Sequence, residues 1–460
     1  MNGVVAVDAA KAVRELQETL GDSVLLDAAT RSSRGHDRSH HPWEMPDAVV
    51  ACNSTHDVSR AMAICHRNRI PVVPVGAGTG LEGGANSRAG SVCLDLSPMT
   101  EILHLGVQDL NATVQAGVLK SALNNAALPH GLCFPAGPGV DASMGGMAST
   151  RASGTNAVAY GTMRENVLGL RVVLADGTVA NTGGLARKSA AGYDLTGLFV
   201  GAEGTLGIIT EVCVRLYGIP ESTEMALVPY PTLGSAVQSV SAAIAAGIAF
   251  ARVELLDDVM VGAMNSYSGV ALTVAPTLMV EFEGGPAAVQ ESVRRFGRIA
   301  AVHGALGYEF SPDPERRDTL WRARTDVLPA CAALRQGAVT WSTDVCVPIS
   351  RLAECIEQTQ ADIAASNILA PIAGHVGDGN FHLAFVLDPD SAAEHAEAAA
   401  VNERLVNRAL RMGGTCTGEH GIGAGKREAL RIEHADSLPI MKSIKAALDP
   451  RMLLNPGKVL

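Results

Sequence analysis

The chain has 460 residues, of which 47% are hydrophobic and 18% are charged, and its formal net charge is −11. At roughly 100–200 residues per domain, this length predicts two to four compact units with a substantial core. The acidic balance argues against a nucleic-acid partner, because phosphates require a positively charged footprint. No run of about 18 uninterrupted apolar residues occurs, so the sequence predicts no transmembrane segment.

The cysteines and the N-terminal residues bear on the subcellular location of the protein. Its nine cysteines are odd in number and include no CxxC pair, which favours reduced thiols over a disulfide framework. Residues 1–21 carry acidic side chains and no long apolar segment, so they predict an amphipathic helix rather than a signal peptide. We therefore expect a cytoplasmic protein, with peripheral contact at a membrane left open.

The first half of the chain alternates short apolar strands with Gly and Pro turns. Apolar residues at helical spacing predict a helix over 56–68. Residues 166–181 predict a β-hairpin whose turn is Asp176-Gly177. Further strands are predicted over 71–75, 91–97, 112–118 and within 205–220. Glycine becomes less frequent beyond 220–224, and we place a domain boundary there.

The second half has a different pattern, in which apolar strands alternate with amphipathic helices. Strands are predicted over 225–231, 251–257, 276–284, 343–349 and within 369–387, and helices from about 234, over 286–303 and over 391–412. This order is typical of an α+β sheet that helices cover on one face.

Residues 76–84, GAGTGLEGG, contain the pattern G-x-G-x-x-G after a predicted strand. A dinucleotide-binding Rossmann turn must open a helix, and here another strand follows instead. Successive Gly N–H groups can nevertheless form a concave anion nest without a helix. Taken alone, this loop is equally compatible with such a nest and with a plain turn.

Two further Gly-rich segments change that balance. Residues 135–161 are rich in Gly, Ala, Ser and Thr and have little capacity to form a core, and residues 201–210 read GAEGTLGIIT. Small polar residues of this kind can bind a ligand through backbone and hydroxyl groups. The three segments together are expected to wrap one extended ligand.

These segments resemble the FAD-binding domain of the vanillyl-alcohol oxidase / p-cresol methylhydroxylase flavoproteins. The matching stretches are PVVPVGAGTGLEGGA, PAGPGVDASMGGMASTRASGTNAVAYG and GAEGTLGIITEV. The resemblance implies FAD, with residues 76–81 around its pyrophosphate. No His stands in the 76–84 loop, so the FAD is expected to be non-covalent. The residues implied to contact it are Pro74, Gly76, Ala77, Gly78, Thr79, Gly80, Leu81, Pro138, Gly145, Gly146, Ser149, Thr150, Ser153, Gly154 and Tyr160, with Glu203, Gly204 and Ile209 beside its ribose and adenine or isoalloxazine parts.

A second constellation is rich in histidine. In HVGDGNFH, His375 and His382 flank a Gly-Asp-Gly turn between apolar strands. If a hairpin pairs residue 375 with 380, the two histidines lie on one face, with Cα atoms on the order of 7 Å apart. They could then share one metal, and Glu419 of the GEHG sequence could add a carboxylate. The alternative is a pair of structural histidines beside a surface Glu-His. The crowding of His375, His382 and His420 into Gly-rich turns favours the metal, which could be Zn, Mn or Fe.

HVGDGNFH, GTCTGEHGIGAGKRE and LDPRMLLNPGKVL resemble the C-terminal FAD-linked oxidase domain of D-lactate dehydrogenases of the cytochrome type, D-2-hydroxyglutarate dehydrogenases and glycolate oxidase large subunits. The resemblance implies that His375, His382 and Glu419 bind a divalent metal and that His420 is the catalytic base. It also implies that Arg324 binds the substrate carboxylate, although an isolated Arg324 would most often be a solvated helix residue. Asn380 and Asn455 are weaker candidates for contact with substrate and flavin.

The expected fold class is therefore α+β. It combines a two-subdomain FAD-binding domain of the vanillyl-alcohol oxidase type over residues 1–222 with a substrate (cap) domain over 223–460. In the substrate domain, helices cover an antiparallel sheet, and roughly the last 40 residues pack back towards the first domain.

The implied reaction is oxidation of a small D-2-hydroxy acid, D-lactate to pyruvate first among them. The sequence names no electron acceptor, so a cytochrome, a quinone, an electron-transfer flavoprotein and oxygen are all open, and a homodimer is left open. D-2-hydroxyglutarate is less favoured because Trp341-Ser342-Thr343 lacks the lysine typical of that branch. Glycolate is the next alternative. A flavin-free metal hydrolase and a non-catalytic flavin- or metal-binding subunit are the readings from other classes.

Overall fold

The computed structural model describes residues 9–311 and 313–460. Residues 1–8 of the predicted N-terminal helix lie outside the described residues, and the rest of that prediction is confirmed by a helix over Ala9–Leu20. Two compact units are present. The first comprises the chain up to Ser153, Gly161–Ile219 and Glu419–Leu460, and the second comprises Gly154–Tyr160 and Pro220–Gly418. The domain division at residue 222 stays a prediction.

The helices are α1 Ala9–Leu20, α2 Ala28–Arg34, α3 Thr55–Asn68, α4 Lys120–Ala127, α5 Met144–Thr150, α6 Ala157–Tyr160, α7 Met163–Asn166, α8 Leu195–Phe199, α9 Leu233–Ala245, α10 Asp258–Ser268, α11 Pro286–Val302, α12 Pro314–Thr325, α13 Val327–Ala332, α14 Ile349–Ala364, α15 Ala392–Arg411, α16 Arg427–Glu433 and α17 Leu438–Leu448. Within the part of the chain that is described, no helix is both long enough and apolar enough to cross a membrane.

The strands are β1 Val24–Leu25, β2 Ala48–Ala51, β3 Val72–Val75, β4 Val92–Asp95, β5 Ile102–Gly106, β6 Asn111–Gln115, β7 Leu132–Cys133, β8 Val167–Val173, β9 Val179–Gly183, β10 Ile208–Arg215, β11 Tyr217–Gly218, β12 Ser222–Pro229, β13 Arg252–Leu256, β14 Thr277–Gly284, β15 Glu309–Ser311, β16 Val339–Ser342, β17 Val345–Cys346, β18 Ile372–Gly374 and β19 Asn380–Leu387.

The first unit contains two main sheets, each with its own core. In the four-stranded sheet β1-β2-β4-β3, β4 runs parallel to β2 and β3, whereas β1 is antiparallel. Helix α3 places Met62 and Cys65 in the core against this sheet. The five-stranded sheet β5-β6-β10-β8-β9 is antiparallel throughout, and its β8–β9 pair is the hairpin predicted around Asp176-Gly177. This pair of cores agrees with the two subdomains that the resemblance implies for the first domain.

The segment 135–161 does contribute to the core, contrary to expectation. Helix α5 forms within it, and Met144, Met147 and Ala148 are buried. Their i, i+3 and i+4 spacing places them on one face of a helix, which the surrounding small residues masked in the sequence. Gly145 permits the close approach, because a Cβ there would lie 2.5 Å from the Cβ of Ala116.

The second unit is built on an eight-stranded sheet in which every pairing is antiparallel. The expectation that helices cover one face is wrong, because they pack on both. Phe282 of β14 meets Phe296 of α11 on one face. Met279, of opposite parity on β14, belongs to a core with α10, α12 and α13 on the other face. We call this second face the α12 face, because it carries the polar residues described below.

Candidate active site

The two histidines of the HVGDGNFH turn come together as the hairpin register predicts. Strands β18 and β19 pair Ala373 with His382, and the N–H of Asn380 donates to the carbonyl of His375. The imidazole centroids of His375 and His382 are 5.3 Å apart, and both side chains are almost completely buried. The side-chain parity of these strands places both rings on the α12 face.

Each imidazole is oriented through its Nδ1 atom. Nδ1 of His375 lies 2.6 Å from Oε1 of Glu254, and Nδ1 of His382 lies 2.8 Å from the carbonyl oxygen of Thr343. A carbonyl can only accept, so Nδ1 of His382 carries a proton, and in the neutral ring Nε2 is then the nitrogen with the lone pair. A metal-ligating histidine is commonly oriented in this way, by a carboxylate or a carbonyl on its other nitrogen.

Glu419 completes a donor set with these histidines. It is joined directly to Gly418, the last residue of the second unit. One ligand atom from each of His375, His382 and Glu419 lies within 4.8 Å of the others, and no other group of three or more such residues occurs in the described part of the chain. Two imidazole nitrogens and one carboxylate oxygen suit a divalent Zn, Mn or Fe ion, so these residues fit a metal.

Arg324 is not a solvated helix residue. It lies in the last turn of α12, is 8% exposed and forms an ion pair with the fully buried Glu254. Its Nη2 and Nε lie 2.6 and 3.0 Å from Oε2 of Glu254, and Nη1 has no hydrogen-bond partner within the described residues. One edge of the guanidinium is therefore held by the protein, and the other remains for a ligand.

Glu254 was missed in the sequence, where it stands as an ordinary residue in an apolar strand. Burial raises the pKa of its carboxyl, but the charges of His375 and Arg324 outweigh burial and hold that pKa below its ordinary value. Its position on β13, in register opposite Met279 of β14, is what puts it on the α12 face.

Asp344 was also missed, and it organises the chain just before Glu419. Its carboxylate accepts hydrogen bonds from Nδ2 of Asn380 at 2.7 Å, the hydroxyl of Thr417 at 2.7 Å and the N–H of Gly418 at 2.8 Å. The side-chain amide of Asn380 therefore helps to fix the carboxylate of Asp344, which in turn holds the backbone at Gly418. Contact between Asn380 and the substrate stays a prediction.

His420 lies among charged groups of the first unit. Its Nδ1 is 3.8 Å from Oε1 of Glu82, and its Nε2 is 3.6 Å from Oε1 of Glu419. Glu82 also pairs with Lys426 at 3.1 Å and with His41 at 3.5 Å. Burial opposes ionisation of Glu82, but Lys426 first, and then His41 and His420, lower its pKa to about 2. The 76–84 loop therefore carries an ionised carboxylate towards the predicted base.

Glu203 uses its carboxylate to hold the segment after His420. Its oxygens accept from the N–H groups of Ile422 and Gly423 at 2.7 and 2.8 Å. Burial raises the pKa of Glu203 to about 7. The Asn455 amide donates to the carbonyls of Gly84 and Glu203, which ties the C-terminus to the same region. The contacts of Glu203 and Asn455 with cofactor stay predictions.

The 76–84 loop has the donors that an FAD pyrophosphate requires. The N–H groups of Gly78, Thr79 and Gly80 find no acceptor within residues 9–311 and 313–460, and Gly78 has a φ of +68°. Consecutive N–H groups without an acceptor are compatible with the anion nest expected from the sequence, so the loop fits the cofactor, while its contact with the pyrophosphate stays a prediction.

The other residues predicted to contact FAD are distributed between packing and polar roles. Ser149 and Thr150 donate their hydroxyls to carbonyls of their own helix, and Tyr160 donates to Glu283. Ile209 belongs to the buried core of the five-stranded sheet, and a Cβ on Gly204 would meet Pro74 at 2.5 Å. Their cofactor contacts stay predictions, as do those of Gly76, Ala77, Leu81, Pro138, Gly145, Gly146, Ser153 and Gly154.

Comparison with known families shows that the chain is a flavoprotein. FAD binding domains match residues 46–183, and the C-terminal domain of FAD linked oxidases matches residues 219–459. The chain belongs to the family of FAD-linked oxidases and is an FAD-dependent oxidoreductase. The reading as a flavin-free hydrolase is therefore wrong.

Relatives of the chain are similar over almost its whole length. It is 49% identical over 455 residues to a probable mitochondrial D-lactate dehydrogenase of Danio rerio (98% of this chain, 92% of the relative). It is 42% identical over 451 residues to a mitochondrial D-lactate dehydrogenase (cytochrome) of Arabidopsis thaliana (97% and 80%). It is 35% identical over 436 residues to a glycolate oxidase subunit of Bacillus subtilis (94% and 92%).

Among solved structures, p-cresol methylhydroxylase with bound substrate matches with a TM-score of 0.77 at 19% identity, covering 99% of this chain and 98% of that protein. This likeness confirms the vanillyl-alcohol oxidase fold.

The expectation of a cytoplasmic location is wrong. The relatives from Danio rerio and Arabidopsis thaliana are both named as mitochondrial. The odd cysteine count without a CxxC pair favours reduced thiols, and reduced thiols do not distinguish one reducing compartment from another.

Proposed function

We propose that the chain oxidises a small D-2-hydroxy acid, D-lactate to pyruvate, and passes the electrons from reduced FAD to a cytochrome. The observation that carries the proposal is the composition of the α12 face. On this face lie the guanidinium of Arg324, of which only one edge is bound to Glu254, and the oriented imidazoles of His375 and His382. The D-lactate dehydrogenase names of the relatives support the substrate, and the name of the Arabidopsis thaliana relative supports the cytochrome.

The reaction removes the hydroxyl proton and the hydrogen on Cα together with two electrons. When bound, FAD supplies the two-electron acceptor for that hydride. A divalent metal held by His375, His382 and Glu419 would supply a Lewis acid that makes the substrate hydroxyl more acidic. The free edge of Arg324 pairs with the substrate carboxylate through charge-assisted hydrogen bonds.

His420 is proposed to accept the hydroxyl proton. Imidazole has an ordinary pKa near 6.5, so a neutral ring can take a proton around neutral pH. The carboxylates of Glu82 and Glu419, at 3.8 and 3.6 Å, flank the ring and would stabilise the imidazolium that forms.

Glycolate is the second candidate substrate, because a glycolate oxidase subunit is among the relatives. D-2-hydroxyglutarate is less favoured, since Trp341, Ser342 and Thr343 offer no cation for a second carboxylate. Quinone and electron-transfer flavoprotein are the alternatives to the cytochrome as acceptor.

The test is anaerobic reduction of the bound flavin, followed by absorbance. D-lactate is expected to bleach the flavin fastest, glycolate more slowly, and L-lactate and D-2-hydroxyglutarate least. Reoxidation of the reduced protein by a cytochrome, a soluble quinone or oxygen then identifies the acceptor. Failure of all four acids to bleach the flavin would contradict the proposed oxidation and favour a non-catalytic subunit.

A further inference from the structure

Glu254 joins the two halves of the proposed site through one carboxylate. Oε1 lies 2.6 Å from Nδ1 of His375, and Oε2 lies 2.6 Å from Nη2 and 3.0 Å from Nε of Arg324. The residue is fully buried, and its two partners lie 121 and 70 positions away in the chain. All three residues belong to the second unit.

The contact with His375 determines which ring nitrogen is available to a metal. An ionised carboxylate only accepts hydrogen bonds, so it keeps a proton on Nδ1 of His375, and in the neutral ring the lone pair is then on Nε2. Such a partner also fixes the plane of the ring, and outer partners of this kind commonly change metal affinity 10–100-fold.

The contact with Arg324 determines where the guanidinium points. Two N–H groups converge on one oxygen of Glu254, which fixes the plane of the fork and leaves the Nη1 edge for a carboxylate. An arginine held in one orientation loses less freedom when it binds a ligand than a solvated one does.

We propose that Glu254 is a positioning residue that acts on metal binding through His375 and on substrate binding through Arg324. The inference deepens the proposed function and rests on it for the substrate half. The metal half concerns only the affinity of the protein for a divalent ion.

Glu254→Gln is the informative substitution. A single amide oxygen can accept from His375 or from Arg324, whereas the amide NH₂ would face the other donor. If the NH₂ faces His375, the ring proton must move to Nε2, where it blocks a metal. Glu224→Gln is the matched control, because Glu224 is a buried carboxylate of the same sheet that contacts Gln290.

Removing the carboxylate leaves Arg324 as a buried, unpaired charge, which could prevent folding. The double variant Glu254→Gln/Arg324→Gln removes both charges and keeps the experiment informative. Flavin absorbance and the midpoint of thermal unfolding identify the variants that are folded and loaded with FAD.

Two quantities are measured on FAD-loaded protein. Zn²⁺ affinity is measured by competition with a chromophoric chelator after metal removal, and KM for D-lactate is measured by flavin reduction. Glu254→Gln should weaken Zn²⁺ binding roughly 10–100-fold and raise KM about tenfold or more, whereas Glu224→Gln should do neither. In the Arg324→Gln background, the substitution at 254 should still weaken Zn²⁺ binding but add little to KM, because the Arg324 route is already lost.

Equal Zn²⁺ affinity and KM in the Glu254 and Glu224 variants would overturn the inference while the proposed function stands. Absence of Zn²⁺ binding in the parent protein would also overturn it. If the parent flavin is not reduced by any hydroxy acid, the proposed function fails, and the Zn²⁺ affinities of the same variants still decide the role of Glu254 at His375.

Discussion

Glu419 and His420 are neighbours in the chain, but their side chains serve different proposed roles. Glu419 contributes a ligand atom to the group with His375 and His382, whereas His420 lies beside the carboxylate of Glu82. The side chains are themselves close, with Nε2 of His420 3.6 Å from Oε1 of Glu419, and the flanking Gly421 has a φ of +83°, which favours glycine. The two positions should therefore fail differently when substituted.

Glu419→Gln keeps the size of the side chain but removes an anionic ligand, so bound metal should decrease and activity with it. His420→Ala should keep metal and FAD, while kcat falls on the order of 10²–10⁴-fold, the usual contribution of a positioned base. Metal analysis and stopped-flow flavin reduction measure both effects. Loss of metal from His420→Ala together with its retention in Glu419→Gln would reverse the two roles.

Glu203 gives the stability of the protein a specific pH dependence. Burial raises the pKa of its carboxyl to about 7 from an ordinary 4.5, so the folded state binds this proton more tightly than the unfolded chain does. The folded protein therefore loses stability as pH rises from about 4.5 to about 7, on the order of 3 kcal/mol for this group.

Glu203→Gln carries no such proton, so its thermal midpoint should fall less between pH 5 and pH 8 than that of the parent protein. The control is Glu428→Gln, which changes a side chain that is 82% exposed. Parallel pH profiles for the parent and Glu203→Gln would show that this carboxyl does not titrate as its burial requires.

At the scale of elements, the β18–β19 hairpin positions His375 and His382, the proposed metal ligands, and its turn contains Gly379. This residue has a φ of +81°, and a Cβ there would lie 2.0 Å from the carbonyl oxygen of Val347. Gly413 has nearly the same φ, +79°, but a Cβ there would meet nothing within 4 Å. Substituting alanine at each of these two glycines therefore separates the cost of a left-handed backbone conformation from the effect of a steric clash.

Gly379→Ala should shift the turn and weaken Zn²⁺ affinity on the order of tenfold or more, because the ligand geometry is disturbed. Gly413→Ala should cost only the left-handed backbone strain, about 1–2 kcal/mol, and leave Zn²⁺ affinity unchanged. Chelator competition and thermal unfolding measure the two effects. An equal loss of affinity in both variants would contradict a specific role for this turn.

Elements with local turn chemistry could be predicted from the sequence. Asp176-Gly177 fixed the expected β8–β9 hairpin, and the Gly-Asp-Gly turn gave the register that joins His375 and His382. Helix α5 was missed because its apolar positions stand among glycines and small polar residues. The packing of helices on both faces of the second sheet was not predicted. It follows from β14, which is apolar on both sides, with Met279 on one face and Phe282 on the other.

The acidic residues of the site could not be predicted, because their partners are distant in sequence. Glu254 becomes significant only when β13 and β18 pair and bring it to His375. Asp344 and Glu82 likewise acquire roles from Gly418 and Lys426, far along the chain. A glutamate in an apolar strand is the one local signal that could have drawn attention to Glu254, since burying an unpaired charge is costly.

At the scale of the whole molecule, the first unit is assembled from three separate segments of the chain, and the second from two. The nest of the 76–84 loop belongs to the first unit, whereas His375 and His382 belong to the second. The residues proposed to hold a metal, which include Glu419 of the first unit, are therefore a different set from the nest residues, so loss of metal and loss of FAD are expected to be separable by experiment.

Treatment with a chelator should remove the metal and leave FAD bound. The flavin spectrum should persist, because the N–H donors of Gly78, Thr79 and Gly80 do not involve the metal ligands. Flavin reduction by D-lactate should slow on the order of 100-fold or more, since a Lewis acid on the substrate hydroxyl contributes several kcal/mol. Adding the metal back should restore the rate, which controls for irreversible damage.

His375→Ala should behave like the chelated protein without any chelator and should not respond to added metal. Full activity in protein shown by metal analysis to be free of divalent ions would exclude a catalytic metal and leave proton removal to His420 alone.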